Sequence, residues 1–170
     1  SESDTEVRSI GFSAIWDVSD NSTYMLQWQR TETGLDGGFF GDEGSREKLI
    51  VDLHLALDDR QTLALFAEWE QETFENLYPY DPIQAREQNR RLYGYGLEYR
   101  TLIGETSIGV NARVDEADGF DKTMTYALDG SRRLGKQVRL HGSYGTAVTN
   151  PTFFEQFGFV PAIFVGNAGL

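Results

Sequence analysis

The sequence predicts an all-β chain, an antiparallel up-and-down transmembrane β-barrel segment of about eight strands. Three observations predict it. Apolar residues recur with period two rather than with a helical period. The alternating runs last roughly 8–11 residues, the length a tilted transmembrane strand needs and longer than the ~5–6 usual in soluble sheets. Short and long connections alternate strictly, as in outer-membrane barrels.

The strands follow in order. Ile10, Phe12, Ala14, Trp16 and Val18 alternate with Gly11, Ser13, Ile15 and Asp17. Ser19 to Thr23 is turn chemistry, and Tyr24, Leu26 and Trp28 then alternate with Met25, Gln27 and Gln29. Leu49, Val51, Leu53, Leu55 and Leu57 alternate with Ile50, Asp52, His54, Ala56 and Asp58. Leu63, Leu65, Ala67 and Trp69 make the fourth run, and Tyr93, Tyr95, Leu97 and Tyr99 the fifth. Ile108, Val110, Ala112 and Val114 make the sixth, Met124, Tyr126 and Leu128 the seventh, and Val138, Leu140, Gly142 and Tyr144 the eighth. Connections at 19–23, 58–61, 102–105 and 129–136 are expected to be short, those at 31–46 and 71–91 long, and that at 115–121 intermediate. Trp16, Tyr24 and Tyr99 beside short turns, and Trp69 and Tyr93 beside a long loop, suit two interfacial aromatic girdles. No helix of useful length is expected.

Composition narrows the function. The 170 residues carry 15 Lys and Arg against 27 Asp and Glu, for a formal charge of −12. That balance excludes nucleic acid as a partner, which needs clustered cations. The absence of cysteine removes disulfides, thiol catalysis and Cys-ligated metals. No apolar run reaches the ~20 residues of a spanning helix, and the opening Ser1-Glu2-Ser3-Asp4-Thr5-Glu6 lacks a signal-peptide layout. A mean hydropathy of −0.44 fits either a soluble sheet or a barrel whose strands are half apolar. Period alone leaves a soluble β-sandwich or barrel open; strand length and loop asymmetry favour the membrane.

The C-terminal part reads Ser143-Tyr144-Gly145-Thr146-Ala147-Val148-Thr149-Asn150-Pro151-Thr152-Phe153-Phe154-Glu155-Gln156-Phe157-Gly158, and Gly166-Asn167-Ala168-Gly169-Leu170 follows. This stretch resembles TonB-dependent outer-membrane receptors, of the cobalamin and siderophore group. Tyr144, Gly145, Thr146, Pro151, Gly158, Gly166 and Asn167 carry the motif. Val148, Thr149, Asn150, Ala168 and Gly169 depart from the residues usual there. The resemblance is strong over 108–170, where the hairpin 110–126 also matches, and rests on strand pattern alone over 1–107. It implies a 22-stranded barrel plugged by an N-terminal globular domain and coupled to a TonB-type energy transducer of the inner membrane. Residues 1–170 would then be part of one β-barrel domain, without the plug and the C-terminal strands. The motif segment is implied to lie at the extracellular rim or fold toward the lumen. Pro151, which cannot donate to a ladder, is expected to mark the end of strand pairing.

Candidate chemistry is sparse. His54 and His141, the only histidines, fall on the polar parity of separate strands and read as lumen-facing polar residues rather than ligands. No nucleophile signature accompanies Ser143 and His141, so no covalent chemistry is expected. Asp115, Glu116, Asp118 and Asp121 cluster beside Gly119, and Asp36, Asp42 and Glu43 sit in a Gly-rich stretch. Carboxylates so spaced suit Ca²⁺ in a loop or form a solvated acidic face, and neither group has EF-hand spacing. The segment 71–91 holds Phe74, Tyr78, Tyr80, Pro79 and Pro82, then Arg86, Arg90 and Arg91. Aromatics beside cations suit an anionic aromatic chelate or the membrane interface. Phe153 and Phe154 join this ligand-binding set, although an aromatic loop packed on its own barrel explains them as well. No cofactor beyond loop Ca²⁺ is expected.

The expected function of the whole protein is energised uptake of a scarce nutrient, such as a ferric siderophore, cobalamin, haem or a glycan. The expected partners are outer-membrane lipid and a small-molecule nutrient or metal chelate. Two rivals remain. A small closed eight-stranded barrel, structural or adhesive, requires the first and last strands to pair. A soluble β-barrel binding a small apolar ligand requires Leu49, Val51, Leu53, Leu55 and Leu57 to point into a core.

Overall fold

The computed structural model describes residues 4–38, 40–78, 87–160, 163–167 and 169. Eight strands follow one another: β1 (Asp4–Ser19), β2 (Ser22–Asp36), β3 (Gly41–Asp58), β4 (Gln61–Asn76), β5 (Glu87–Ile103), β6 (Thr106–Ala117), β7 (Thr123–Leu134) and β8 (Val138–Gly145). They form a single antiparallel sheet in sequence order, each strand paired with its chain neighbours. A short helix, α1 (Phe153–Phe157), and a two-stranded hairpin, β9 (Phe159–Val160) with β10 (Phe164–Val165), complete the chain.

The register shows why the strands form. Phe12, Trp28, Leu49, Trp69 and Tyr93 lie opposite one another across five strands. So do Ala14, Leu26, Val51, Ala67, Tyr95, Val114 and Met124, and next to them Trp16, Tyr24, Leu53, Leu65, Leu97, Ala112 and Tyr126. Each strand thus adds its period-two apolar set to one continuous face. On β3 this set runs from Leu49 to Leu57, eight steps of ~3.3 Å. At a tilt near ~40° that gives about 20 Å of height, close to the ~25 Å apolar band of an outer-membrane barrel.

Burial is inverted relative to a water-soluble sheet. Val51, Leu65, Leu97 and Val110 on the apolar face remain 42%, 39%, 41% and 42% exposed, whereas Glu68 and Glu70 on the other face are 8% exposed. Among the described residues Phe74 is the one buried large apolar side chain. The leucine row of β3 therefore does not point into a core, contrary to what the soluble-barrel rival requires. Among the described residues β1 and β8 are not paired, so the sheet is open, contrary to what the closed eight-stranded rival requires.

The strands are longer than the alternating runs suggest, with β1 to β5 spanning 15 to 18 residues. Most of the expected connection 31–46 is ladder, and the actual link is 37–40. Much of 71–91 is likewise ladder, because β4 continues to Asn76 and β5 begins at Glu87. The expected turn 129–136 shrinks to 135–137, with Gly135 at φ 78°. Beyond the apolar band both faces of the strands are polar, so the alternation vanishes while the hydrogen bonding does not. The alternation of links survives: 20–21, 59–60, 104–105 and 135–137 at one end, 37–40, 77–86 and 118–122 at the other. Gly104, at φ 62°, supplies the left-handed residue in one short turn.

The ladder of β8 stops at Gly145, six residues before Pro151, so Pro151 does not terminate it. After one further step, Thr146 N–H donating to Tyr126 O at 2.9 Å, the chain leaves the sheet and crosses its inner face.

Candidate functional site

The charged rows of the inner face meet at the long-link end. Register sets Arg46 opposite Glu72, Lys48 opposite Glu70, and Glu72 opposite Arg90. The side chains use that placement. Arg46 Nε donates to Glu72 Oε1 at 2.9 Å, and Arg90 Nη2 donates to Glu72 Oε2 at 2.6 Å. Lys48 Nζ lies 2.8 Å from Glu68 and 3.5 Å from Glu70. Arg113 Nη2 pairs with Asp115 at 2.6 Å, and its Nη1 reaches Glu68 at 3.5 Å. A carboxylate this far out of water needs cationic or hydrogen-bonding partners, and each of the three glutamates has two. Burial pushes the Glu72 carboxyl up, but hydrogen bonds from Arg90 and Arg46 outweigh that and hold it below the ordinary glutamate value.

Glycines let this face close. A Cβ on Gly96 would run into the Phe66 ring, and one on Gly94 would meet Arg113 Nη2 at 2.8 Å. Phe66 lies flat over β5 for that reason, with the Arg113 guanidinium 5.3 Å from its ring centre.

The returning chain docks on this network. Phe153 stacks on Phe74 at 6.0 Å, and the Arg90 guanidinium lies 4.6 Å over the Phe153 ring and 5.5 Å over that of Phe120. Arg90 Nη1 donates to Pro151 O at 2.9 Å, and Asn76 Nδ2 donates to Phe157 O at 3.3 Å. Helix α1 starts on a capping box in which Thr152 and Glu155 satisfy each other's backbone N–H groups. The remaining motif residues hold this unit together. Gly158 N–H caps Phe154 O at 2.8 Å, Gly166 N–H donates to Gly158 O at 2.8 Å, and Asn167 N–H donates to Glu155 O at 2.9 Å. A Cβ on Gly166 would stand 2.6 Å from the Gln156 backbone. Tyr144 faces outward beside Tyr126, and Gly145 closes the ladder of β8.

Of the expected ligand-binding residues, the fold brings Phe74, Arg90 and Phe153 into one cluster. Phe154 turns away and stacks on Phe164 at 5.2 Å, while Tyr78 stays 39% exposed just beyond β4. Tyr80 and Arg86 lie outside the described residues. Three of the four carboxylates proposed for Ca²⁺, Asp115, Glu116 and Asp118 but not Asp121, have separate partners. Asp115 pairs inward with Arg113, Glu116 pairs outward with Lys122, and Asp118 Oδ2 accepts the Arg91 N–H at 3.1 Å. Among the described residues no three His, Cys, Asp or Glu side chains are grouped to hold a metal ion. His54 and His141 stand on β3 and β8, with four strands between them.

Sequence reasoning missed Arg46, Lys48, Glu68, Glu70 and Glu72 as one network, and it missed Phe120. The signal was the inward parity carried past Trp69 and back before Leu49, with opposite charges falling opposite each other. It also missed the Thr152-to-Glu155 capping box, which is legible as a short motif.

No protein-family model matches the chain, and no curated protein matches it significantly. Solved structures do. The siderophore receptor PirA from Pseudomonas aeruginosa superposes with a TM-score of 0.79 at 19% identity, over 98% of this chain and 33% of that one. The ferric enterobactin receptor PfeA from the same organism gives 0.69 at 18%, over 89% and 26%. The copper transporter OprC gives 0.57 at 14%, over 83% and 28%. The chain thus spans about a third or less of the structures it matches. An open antiparallel sheet with an apolar outer face, a charged inner face and this superposition has the fold of a wall segment in the barrel of TonB-dependent receptors.

Proposed function

We propose that the chain is part of the barrel wall of an outer-membrane receptor that takes up a scarce nutrient, with a metal chelate of the siderophore class as the cargo. The observation that carries this reading is the inversion of the sheet, with apolar residues outside and paired charges inside. Such a sheet has no use for its outer face in water, since the exposed apolar area far exceeds what a soluble monomer tolerates. In an outer membrane that face meets lipid, and the indoles and phenols at its margins meet the headgroups. Trp28 Nε1 fits this role, donating to Glu47 at 2.7 Å just beyond the apolar rows.

The likeness to PirA and PfeA supports a chelate as cargo. Energy would come from an inner-membrane transducer acting through parts of the receptor outside this chain. The Arg90, Phe74 and Phe153 cluster stands at the long-link end, where an anionic aromatic chelate would enter. Uptake of radioactive iron as a ferric siderophore tests the reading in cells producing the full receptor. Uptake abolished by a proton uncoupler and by deletion of the receptor is expected. Uptake indifferent to both contradicts it.

A further inference from the structure

We propose that residues 146–157 form a strap across the inner face, latched to the wall by Arg90, and that the strap partitions the space over β3, β4 and β5 at this end of the sheet. The strap leaves β8, yet its far end is held by β5 and β4, three and four strands away. Two cavities flank it. One, of about 700 Å³, has Thr152 and Phe153 in its wall. The other, of about 430 Å³, lies under residues 146–150. Arg46, Glu72 and Arg90 line both cavities. The strap and this charged triplet are therefore the boundary between them, and lifting the strap would join the two.

Arg90 is suited to be the latch because its planar fork serves three elements together. One amino group binds Glu72 of β4, the other binds the Pro151 carbonyl of the strap, and the face of the guanidinium lies against Phe153 of the strap and Phe120 of the 118–122 link. The strap end is a preformed unit, built on the Thr152 capping box and the Gly158 to Gly166 closure, so it can move as one body. Among the described residues its far end is tied to the wall through Arg90, the Phe74 ring and the Asn76 amide. The latch is independent of the cargo, because its contacts lie within the chain.

The test reads access beneath the strap in the full receptor, folded in detergent micelles. A single cysteine at Leu92, which lines the smaller cavity, is labelled with a charged maleimide. A cysteine at Ser13, on the inner face of β1 and away from the strap, is the control. Releasing a charge-assisted hydrogen bond and a cation–π contact should speed labelling at 92 by about tenfold in Arg90→Ala, with position 13 unchanged. Phe153→Ala should do the same, and it alters the strap rather than the wall, so it keeps the test alive if Arg90→Ala fails to fold. Arg90→Lys should fall between, since it keeps the charge and loses the fork. Equal rates at 92 in all backgrounds overturn the proposal. So does an equal rise at 92 and 13, which would make Arg90 a support of the whole wall.

Discussion

The two faces of the same strands obey opposite rules. Outside, Leu53 sits among Tyr24, Leu65 and other apolar side chains, and its neighbours are chosen by shape and hydropathy alone. Inside, on the other parity of β3, polar and charged side chains are chosen by their partners, as Lys48 between Glu68 and Glu70 shows. A water-soluble sheet hides its apolar face and needs no buried charge. Here the apolar face stays exposed, and what the fold covers on the other face is the Glu68 to Glu72 stretch of the charged network. The difference teaches that a buried glutamate here is held by its partners, since Glu68 and Glu70 each have two cations within reach.

Carrying one face's chemistry to the other should have the largest effect. Leu53→Arg puts a cation on the outer face at mid-band and should cost about 2–4 kcal/mol in urea unfolding from micelles or bilayers. The complementary change, Lys48→Met, removes the cation shared by two buried carboxylates and should cost about 1–3 kcal/mol, less where Lys48 is partly wetted. Adding Glu70→Leu to Lys48→Met should recover part of that loss, because an absent pair is cheaper than a broken one. A smaller effect is expected at the strap. Thr152→Ala removes the capping box and should destabilise α1 by about 1 kcal/mol, read as greater mobility of a nitroxide at position 154 with unfolding of the barrel unchanged.

The smallest effect is one of pH. The folded Glu72 carboxyl lies below its ordinary value, because hydrogen bonds from Arg90 and Arg46 outweigh its burial. Its contribution is therefore complete at neutral pH and is lost as the pH falls through the depressed folded value. Strap mobility should stay constant from neutral pH down through the ordinary glutamate range and rise only below it. Glu72→Gln should remove that rise.

Much of this fold was legible because one continuous apolar face leaves a strong signature. The rows through Phe12, Val51, Leu65, Tyr95 and Val114 announce themselves at period two, and each run marks one strand. The strand ends were hidden for the same reason. Beyond Trp28 the outward Arg30, Glu32 and Gly34 are as polar as the inward Gln29, Thr31 and Thr33, so no contrast remains to betray the ladder. The site was half legible. Phe74, Arg90 and Phe153 stood out as aromatics and a cation, but their meeting depends on a chain that crosses four strands, which no local pattern encodes. Glu72 passed unnoticed because a glutamate in a polar run looks solvated until register sets it between two arginines.

If the proposed reading holds, β3 presents its odd positions to lipid and its even positions to the interior. Nitroxides placed one at a time at Val51, Asp52, Leu53, His54 and Leu55, in the full receptor in bilayers, measure it through collisions with oxygen and with a water-soluble nickel chelate. High oxygen and low nickel accessibility at 51, 53 and 55, with the reverse or mutual protection at 52 and 54, is the predicted result. High nickel accessibility at 51, 53 and 55 would place that face in water and contradict the account.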